Sequence, residues 1–299
     1  MHMFAKRLSI EKFSATDGTL LYGLLAMPGH GRPRTALLHV HGLMGSFYGS
    51  TAVEELSVAV TRQGIAFFSI ETRGSYSIKE FTKRKGAKET DFIAGGALEK
   101  FEDCAYDIEG AVRFLVHHGF KRVILEGHST GCQKAVYYSA TQMNRAVKAL
   151  VLLAPVDDTN FDRAKFGRKY DSVIRKARLL AGSGRYALMP IGKDPYTVVG
   201  ASRLLSTADP KNVEARTLNY SLRPMGYIAR IRVPILAVFG TDDSYMAVAG
   251  IDPKFAIERL RENCPRAVDS LIINGTDHGF TGKRRLLARK VAEWASEHS

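Results

Sequence analysis

The pentapeptide Gly127-His128-Ser129-Thr130-Gly131 constrains this chain more than any other stretch of it. A short apolar run, Arg122-Val123-Ile124-Leu125, leads into it, and a segment of helical character over residues 132–143 leaves it. A strand that turns into a helix within so few residues has no room for side chains beside the turn. Glycine is therefore needed at both ends. The serine between them is held clear of the backbone at the carboxyl end of its strand. The next amide, Thr130 N–H, opens a helix, where the macrodipole and the unpaired N–H favour negative charge. G-x-S-x-G by itself is common in loops. The strand–turn–helix setting is what makes it read as a nucleophile elbow.

A serine hydroxyl is a weak nucleophile until a base takes its proton, and the base needs an acid to fix its tautomer. Candidates for both follow Ser129 in the chain. The run 233–239, VPILAVF, reads as a buried strand and ends in Gly240-Thr241-Asp242-Asp243. The β-rich run 267–273 ends in Gly275-Thr276-Asp277-His278-Gly279-Phe280. Upstream, residues 35–40 run into His41-Gly42-Leu43-Met44-Gly45. An H-G turn in that place can offer the Leu43 amide, beside that of Thr130, to a developing oxyanion. All these groups lie just past strand ends, the edge of a parallel sheet where ligands bind. Asp242 and Asp243 are adjacent, and only one of them can point at His278.

HGLMG, GHSTG, GTDD and GTDHGF together resemble the signature positions of the α/β-hydrolase superfamily, over residues 20–294. GHSTGCQ is similar to fungal and bacterial hydrolases related to siderophore esterases. The H-G turn, GTDD and the D-H-x-F ending are similar to cinnamoyl and feruloyl esterases. The resemblance implies an α/β-hydrolase fold: a mostly parallel central sheet flanked by helices, with an inserted helical cap. It implies a serine esterase, with Ser129 as nucleophile, His278 as base and the amides of Leu43 and Thr130 as oxyanion hole. The family's acid commonly stands three residues after the glycine, which selects Asp243. Asp242 ranks second, and Asp157, where some relatives keep their acid, third. Thioester and amide substrates use the same apparatus, and no cofactor is implied.

The 299 residues suit one large α/β domain, and 45% apolar residues can build its core. Three cysteines, Cys104, Cys132 and Cys264, form neither a metal pattern nor a disulfide framework. Residues 1–13 lack the apolar core of a signal peptide, and no run reaches the roughly 20 apolar residues of a membrane span. A cytoplasmic setting is the simplest expectation. The net charge is +13. Residues 160–232 carry much of it, with 15 Lys or Arg against 5 Asp or Glu. Such a surface attracts anions, including anionic esters. Nucleic acid is disfavoured, because no recognition motif or aromatic stacking platform accompanies the charge.

Periodicity organises the rest. Residues 8–15 and 20–27 read as a hairpin turned at Asp17-Gly18. Helices are expected over 50–63, 101–118 and 283–297, with strands over 65–71, 121–126 and 146–154. Residues 72–100 read as a long charged loop. Residues 159–225 fall between two core strands and exceed one helix, with helices expected near 161–180, 197–206 and 213–222. Their apolar residues, such as Ile174, Leu179, Leu180, Val198 and Val199, are expected to cover the site while their charges face water. The whole therefore reads as one domain, 1–299, with a cap at about 159–225.

Each residue also has a plainer reading. Ser129 could serve only as a helix cap, and His278 only as a polar loop residue. His41 reads as shaping its turn, His128 as packing locally, His39 as a satisfied core histidine and Cys132 as a small buried side chain. A hydrolase scaffold can also bind without catalysis.

Overall fold

The structure, a computed structural model, describes residues 7–184, 186–190 and 198–299. β1 (Arg7–Ser14) and β2 (Leu20–Met27) form the hairpin predicted from their alternation. β3 (Thr35–Val40) follows, fully buried. α1 (Val53–Arg62) and β4 (Ala66–Ile70) complete the first crossover. After an excursion at residues 71–100, α2 (Cys104–His117; β5 and β6 lie in the excursion, below) leads to β7 (Arg122–His128). α3 (Thr130–Gln142) and β8 (Val147–Leu153) come next.

The eight-stranded sheet closes with β11 (Ile235–Gly240) and β12 (Val268–Ile273), in the order β1-β2-β4-β3-β7-β8-β11-β12. β1, β2 and β4 pair antiparallel, and every later pairing is parallel. Parallel strands covered on both faces must be apolar on both, so successive residues feed opposite cores. Leu38, Leu125, Leu150 and Phe239 pack in one core, which takes in residues of α2, α3 and α9 (Pro253–Asn263). Leu37, Ile124, Val151 and Val238 pack in the other, against α1 and α10 (Arg284–Glu297).

Residues 72–100 are not the long loop expected. They contain a hairpin, β5 (Lys79–Lys85) and β6 (Lys88–Ala94), turned at Gly86, whose φ is 62°. Phe81 and Phe92 stack across it with ring centroids 5.9 Å apart, and Phe81 is buried. Thr82 bonds Asp91, and Arg84 bonds Glu89 across the strands. Its apolar signal is sparse, because cross-strand polar pairs rather than a continuous apolar face hold it.

The 159–225 segment also departs in detail. The helix expected over 161–180 is two, α4 (Asp158–Phe166) and α5 (Tyr170–Gly182). They break at Gly167, which takes the left-handed φ of 49°. β9 (Leu188–Pro190) and β10 (Val198–Gly200) pair before α6 (Ala201–Ala208). Thr197, the expected start of that helix, lies outside the described residues. α7 (Val213–Thr217) is shorter than expected. Ile174, Ala177, Met189, Val199, Leu204 and Ala208 form a small core of their own. The apolar residues therefore pack mainly on one another. Leu179 is 79% exposed, and Arg203 is buried rather than facing water.

Candidate active site

β7 ends at His128, and α3 begins at Thr130. Ser129 between them has φ 56° and ψ −126°, a conformation that side-chain-bearing residues rarely adopt. A Cβ on Gly127 would lie 2.2 Å from the Gly131 carbonyl oxygen, and one on Gly131 would lie 2.2 Å from that of Val40. The glycines at both ends are thus obligatory for the turn. Ser129 N–H donates to Leu153 O at 2.9 Å, and the buried Cys132 thiol donates to Gly127 O at 3.0 Å.

His278 follows β12, and Asp243 follows β11. His278 Nδ1–H donates to Asp243 Oδ2 at 2.8 Å, which leaves Nε2 available. Asp243 is buried, and its other oxygen caps α8 (Ser244–Ala249) by accepting from Tyr245 N at 2.9 Å. One carboxylate thus orients the imidazole while the start of a helix orients the carboxylate. The two other acid candidates lie elsewhere. Asp242 is exposed and accepts from the Thr241 hydroxyl. Asp157 is buried as the cap of α4, accepting from the amides of Asn160 and Tyr220 at 2.9 Å each.

His128, His41 and His39 have local duties. His128 Nε2–H donates to His278 O at 3.0 Å, and burial, aided by the His278 charge, pushes its pKa down to about 3. His41 Nδ1–H donates to Gly42 O at 2.6 Å, while Nε2 accepts from Ser75 Oγ at 2.8 Å. Burial, with the Lys134 charge second, holds His41 neutral with a pKa of about 3. His39 is buried between Glu126 and Ser50.

The Leu43 and Thr130 amides have no protein acceptor among the described residues. A Cβ on Gly42 would lie 3.5 Å from Ser129 Oγ, so the two loops meet at the serine. Leu43, Ser129, Thr130 and His278 line one cavity of about 470 Å³. Its outer wall comes from residues 158–207: Phe161, Asp162 and Lys165 of α4, Val199 of β10, and Arg203, Leu204 and Thr207 of α6. The Tyr245 ring packs at a tilt against both His278 and Phe161, with centroids 4.4 Å and 5.0 Å away.

Sequence reasoning did not find Tyr245, Phe161 or Arg203, because each reaches the cavity only through the packing of α4, α6 and α8. Asp162, inside the cavity, has its pKa raised to about 6 by burial, against a bond from Thr207 that lowers it.

Solved structures share this architecture. Est1E from Butyrivibrio proteoclasticus, solved with ferulic acid, superposes with a TM-score of 0.65 at 14% identity, covering 96% of this chain and 98% of that one. The siderophore hydrolase EstB from Aspergillus fumigatus gives 0.66 at 17% identity, covering 98% of each. The monoacylglycerol lipase of Paleococcus ferrophilus gives 0.63 at 17%, covering 98% of this chain and all of that one, 100%. A search of curated protein sequences gives no match. Residues 24–294 match the family described as "Protein of unknown function (DUF1749)". With its sheet order and this match, the chain has the α/β-hydrolase fold and belongs to the DUF1749 family.

Proposed function

We propose that this protein is a serine hydrolase that cleaves carboxylic esters through an acyl-enzyme intermediate. The observation that carries the proposal is the His278 Nδ1–Asp243 hydrogen bond, with His278 and Ser129 lining one cavity. Ser129 Oγ attacks the ester carbonyl carbon while His278 Nε2 takes its proton. The oxygen of the tetrahedral intermediate takes hydrogen bonds from the Leu43 and Thr130 amides, the second reinforced by the α3 dipole. Each such donor lowers the barrier by about 3 kcal/mol. His278 then protonates the departing alcohol, the C–O bond breaks, and the acyl group stays on Ser129. A water molecule, deprotonated by the same imidazole, releases the acid and restores the serine. The scheme needs no cofactor.

In this reading residues 159–225 act as a cap on a single hydrolase domain. Phe161, Val199 and Leu204 present apolar surface to the substrate, and Asp162, Lys165 and Thr207 present polar groups. The cap excludes water and sets substrate choice. The ferulic-acid-bound Est1E and the siderophore hydrolase EstB indicate which esters to try first.

The decisive experiment is a hydrolysis panel of p-nitrophenyl acyl, cinnamoyl and hydroxamate-siderophore esters, with matched thioesters and amides, alongside fluorophosphonate labelling. The proposal expects ester turnover that stops when Ser129 is labelled. Labelling without turnover of any ester would reassign the chemistry to thioesters or amides if those react. No labelling and no turnover would leave a binding protein on a hydrolase scaffold.

A further inference from the structure

A continuous set of buried polar groups runs from the 158–217 helices to the turn that carries the Leu43 amide. Lys134 lies on α3, and its side chain is 0% exposed. Its Nζ donates to Glu99 Oε2 at 2.8 Å and to Thr72 Oγ1 at 3.4 Å. Thr72 Oγ1 donates to His41 Nε2 at 3.1 Å, and His41 Nδ1–H donates to Gly42 O at 2.6 Å. On the other side, Glu99 Oε1 lies 3.5 Å from a guanidinium nitrogen of Arg203, which is paired through both terminal nitrogens with Glu214.

A buried ion pair is a weak contributor to fold stability. Replacing a buried ion pair by apolar residues of similar volume is often neutral or stabilising. The surrounding backbone is nevertheless shaped around these charges. A Cβ on Gly74 would lie 2.1 Å from Glu99 Oε2 and 2.6 Å from Lys134 Nζ. What the pair does hold is Thr72, and Thr72 together with Ser75 holds His41.

We propose that Lys134 and Glu99 are positioning residues for the oxyanion hole: through Thr72 and His41 they fix the Gly42 carbonyl, and so the aim of the next amide, that of Leu43, at Ser129. The proposal rests on the serine-hydrolase reading above. The Gly42 carbonyl and the Leu43 N–H belong to one planar peptide, so holding the oxygen holds the donor. Lys134 contributes a second way, since its charge opposes protonation of His41. A neutral ring with its proton on Nδ1 can donate to Gly42 while accepting from Thr72 and Ser75. A protonated ring could not accept. Donors in an oxyanion hole act only at the position the developing charge will occupy, so a small displacement costs rate rather than ground-state binding.

The test compares wild type with Lys134→Met/Glu99→Leu, which removes both charges and leaves the Arg203–Glu214 pair. Thr72→Val is the second variant, cutting only the hydroxyl link. For each, kcat and KM for a p-nitrophenyl ester, affinity for a trifluoromethyl ketone and melting temperature are measured. The ketone forms a tetrahedral adduct with serine whose oxyanion uses the same donors. The expected result is a fall in kcat and in ketone affinity by a common factor of about ten to a hundred. KM should stay within about twofold, and melting should stay near that of wild type. Thr72→Val should show the same split more weakly. Folded variants with wild-type kcat and ketone affinity, or with losses confined to KM or melting temperature, would overturn the positioning role. Full turnover by Ser129→Ala would instead remove the serine-hydrolase reading, so the two failures are distinguishable.

Discussion

At the scale of single residues, the site depends on side chains that do two things at once. Ser129 sits in a strained backbone conformation that nothing about a helix cap demands, and its hydroxyl lines the cavity. Ser129→Ala should lower kcat by several orders of magnitude, because members of such a unit act together, while leaving thermal melting nearly unchanged. Near-normal ester hydrolysis by the folded variant would refute the nucleophile assignment. Asp243 orients His278 with one oxygen and caps α8 with the other. In Asp243→Asn the amide oxygen can still cap the helix, but the NH₂ group would favour the wrong imidazole tautomer. Its kcat should fall by about ten-thousand-fold, as in the equivalent serine-protease variant, whereas exposed Asp242→Asn should stay near wild type. A reversed order of effects would reassign the acid. Only the family resemblance, through its spacing from the glycine, ranks Asp243 above the adjacent Asp242. The turn after β11 decides between them by burying one and exposing the other.

At the scale of elements, the helices of residues 158–217 were legible as an excess of chain between two strands, but not in their arrangement. Their apolar residues form a separate small core, so only a few side chains of α4, β10 and α6 reach the cavity. Phe161→Ala and Leu204→Ala should therefore change relative kcat/KM among esters of different acyl size, and exposed Leu179→Ala should not. Variants that altered only stability would count against a cap that selects substrate.

Asp162 on α4 gives a pH prediction. Its carboxyl keeps its proton to about pH 6 in the fold, against an ordinary value of 3.8. Between those values the folded state binds the extra proton, so this group's contribution to stability falls as pH rises through 4 to 6. Above about 6 the cost of burying the charge is fully present. Asp162→Asn keeps an acceptor for Thr207 and removes that cost. Denaturant titrations should find it stabilising at pH 7.5 by up to about 3 kcal/mol, with the effect gone near pH 3.5. A difference independent of pH would show that Asp162 is not buried as a charge.

At the scale of the whole molecule, the net charge of +13 sets the field met by an approaching substrate. Within the cavity the signs are mixed, since Asp162 and Lys165 both line it and Arg203 is already paired. Charge therefore acts at encounter rather than at contact. Raising salt should lower kcat/KM for an anionic ester and leave a neutral one nearly unchanged. Equal responses would remove the steering but not the site.

The architecture itself was legible because its determinants are local. Strands buried on both faces are apolar almost throughout, as residues 235–240 are and as residues 35–40 are apart from Thr35 and His39. A turn too tight for side chains must carry glycine, as at Gly127 and Gly131. The chain order of serine, acid and histidine is also written in one dimension. The sequence by itself therefore determined the fold class, the elbow and the candidate set. Only the tertiary structure decided which aspartate meets His278, that residues 79–94 pair as a hairpin, and that Lys134 pairs with Glu99 and reaches His41 through Thr72. Those outcomes depend on which side chains are shielded from water together. The Asp243–His278 and Lys134–Glu99 contacts each join residues 35 positions apart, and the hairpin is held by sparse cross-strand polar pairs, so no apolar periodicity encodes them.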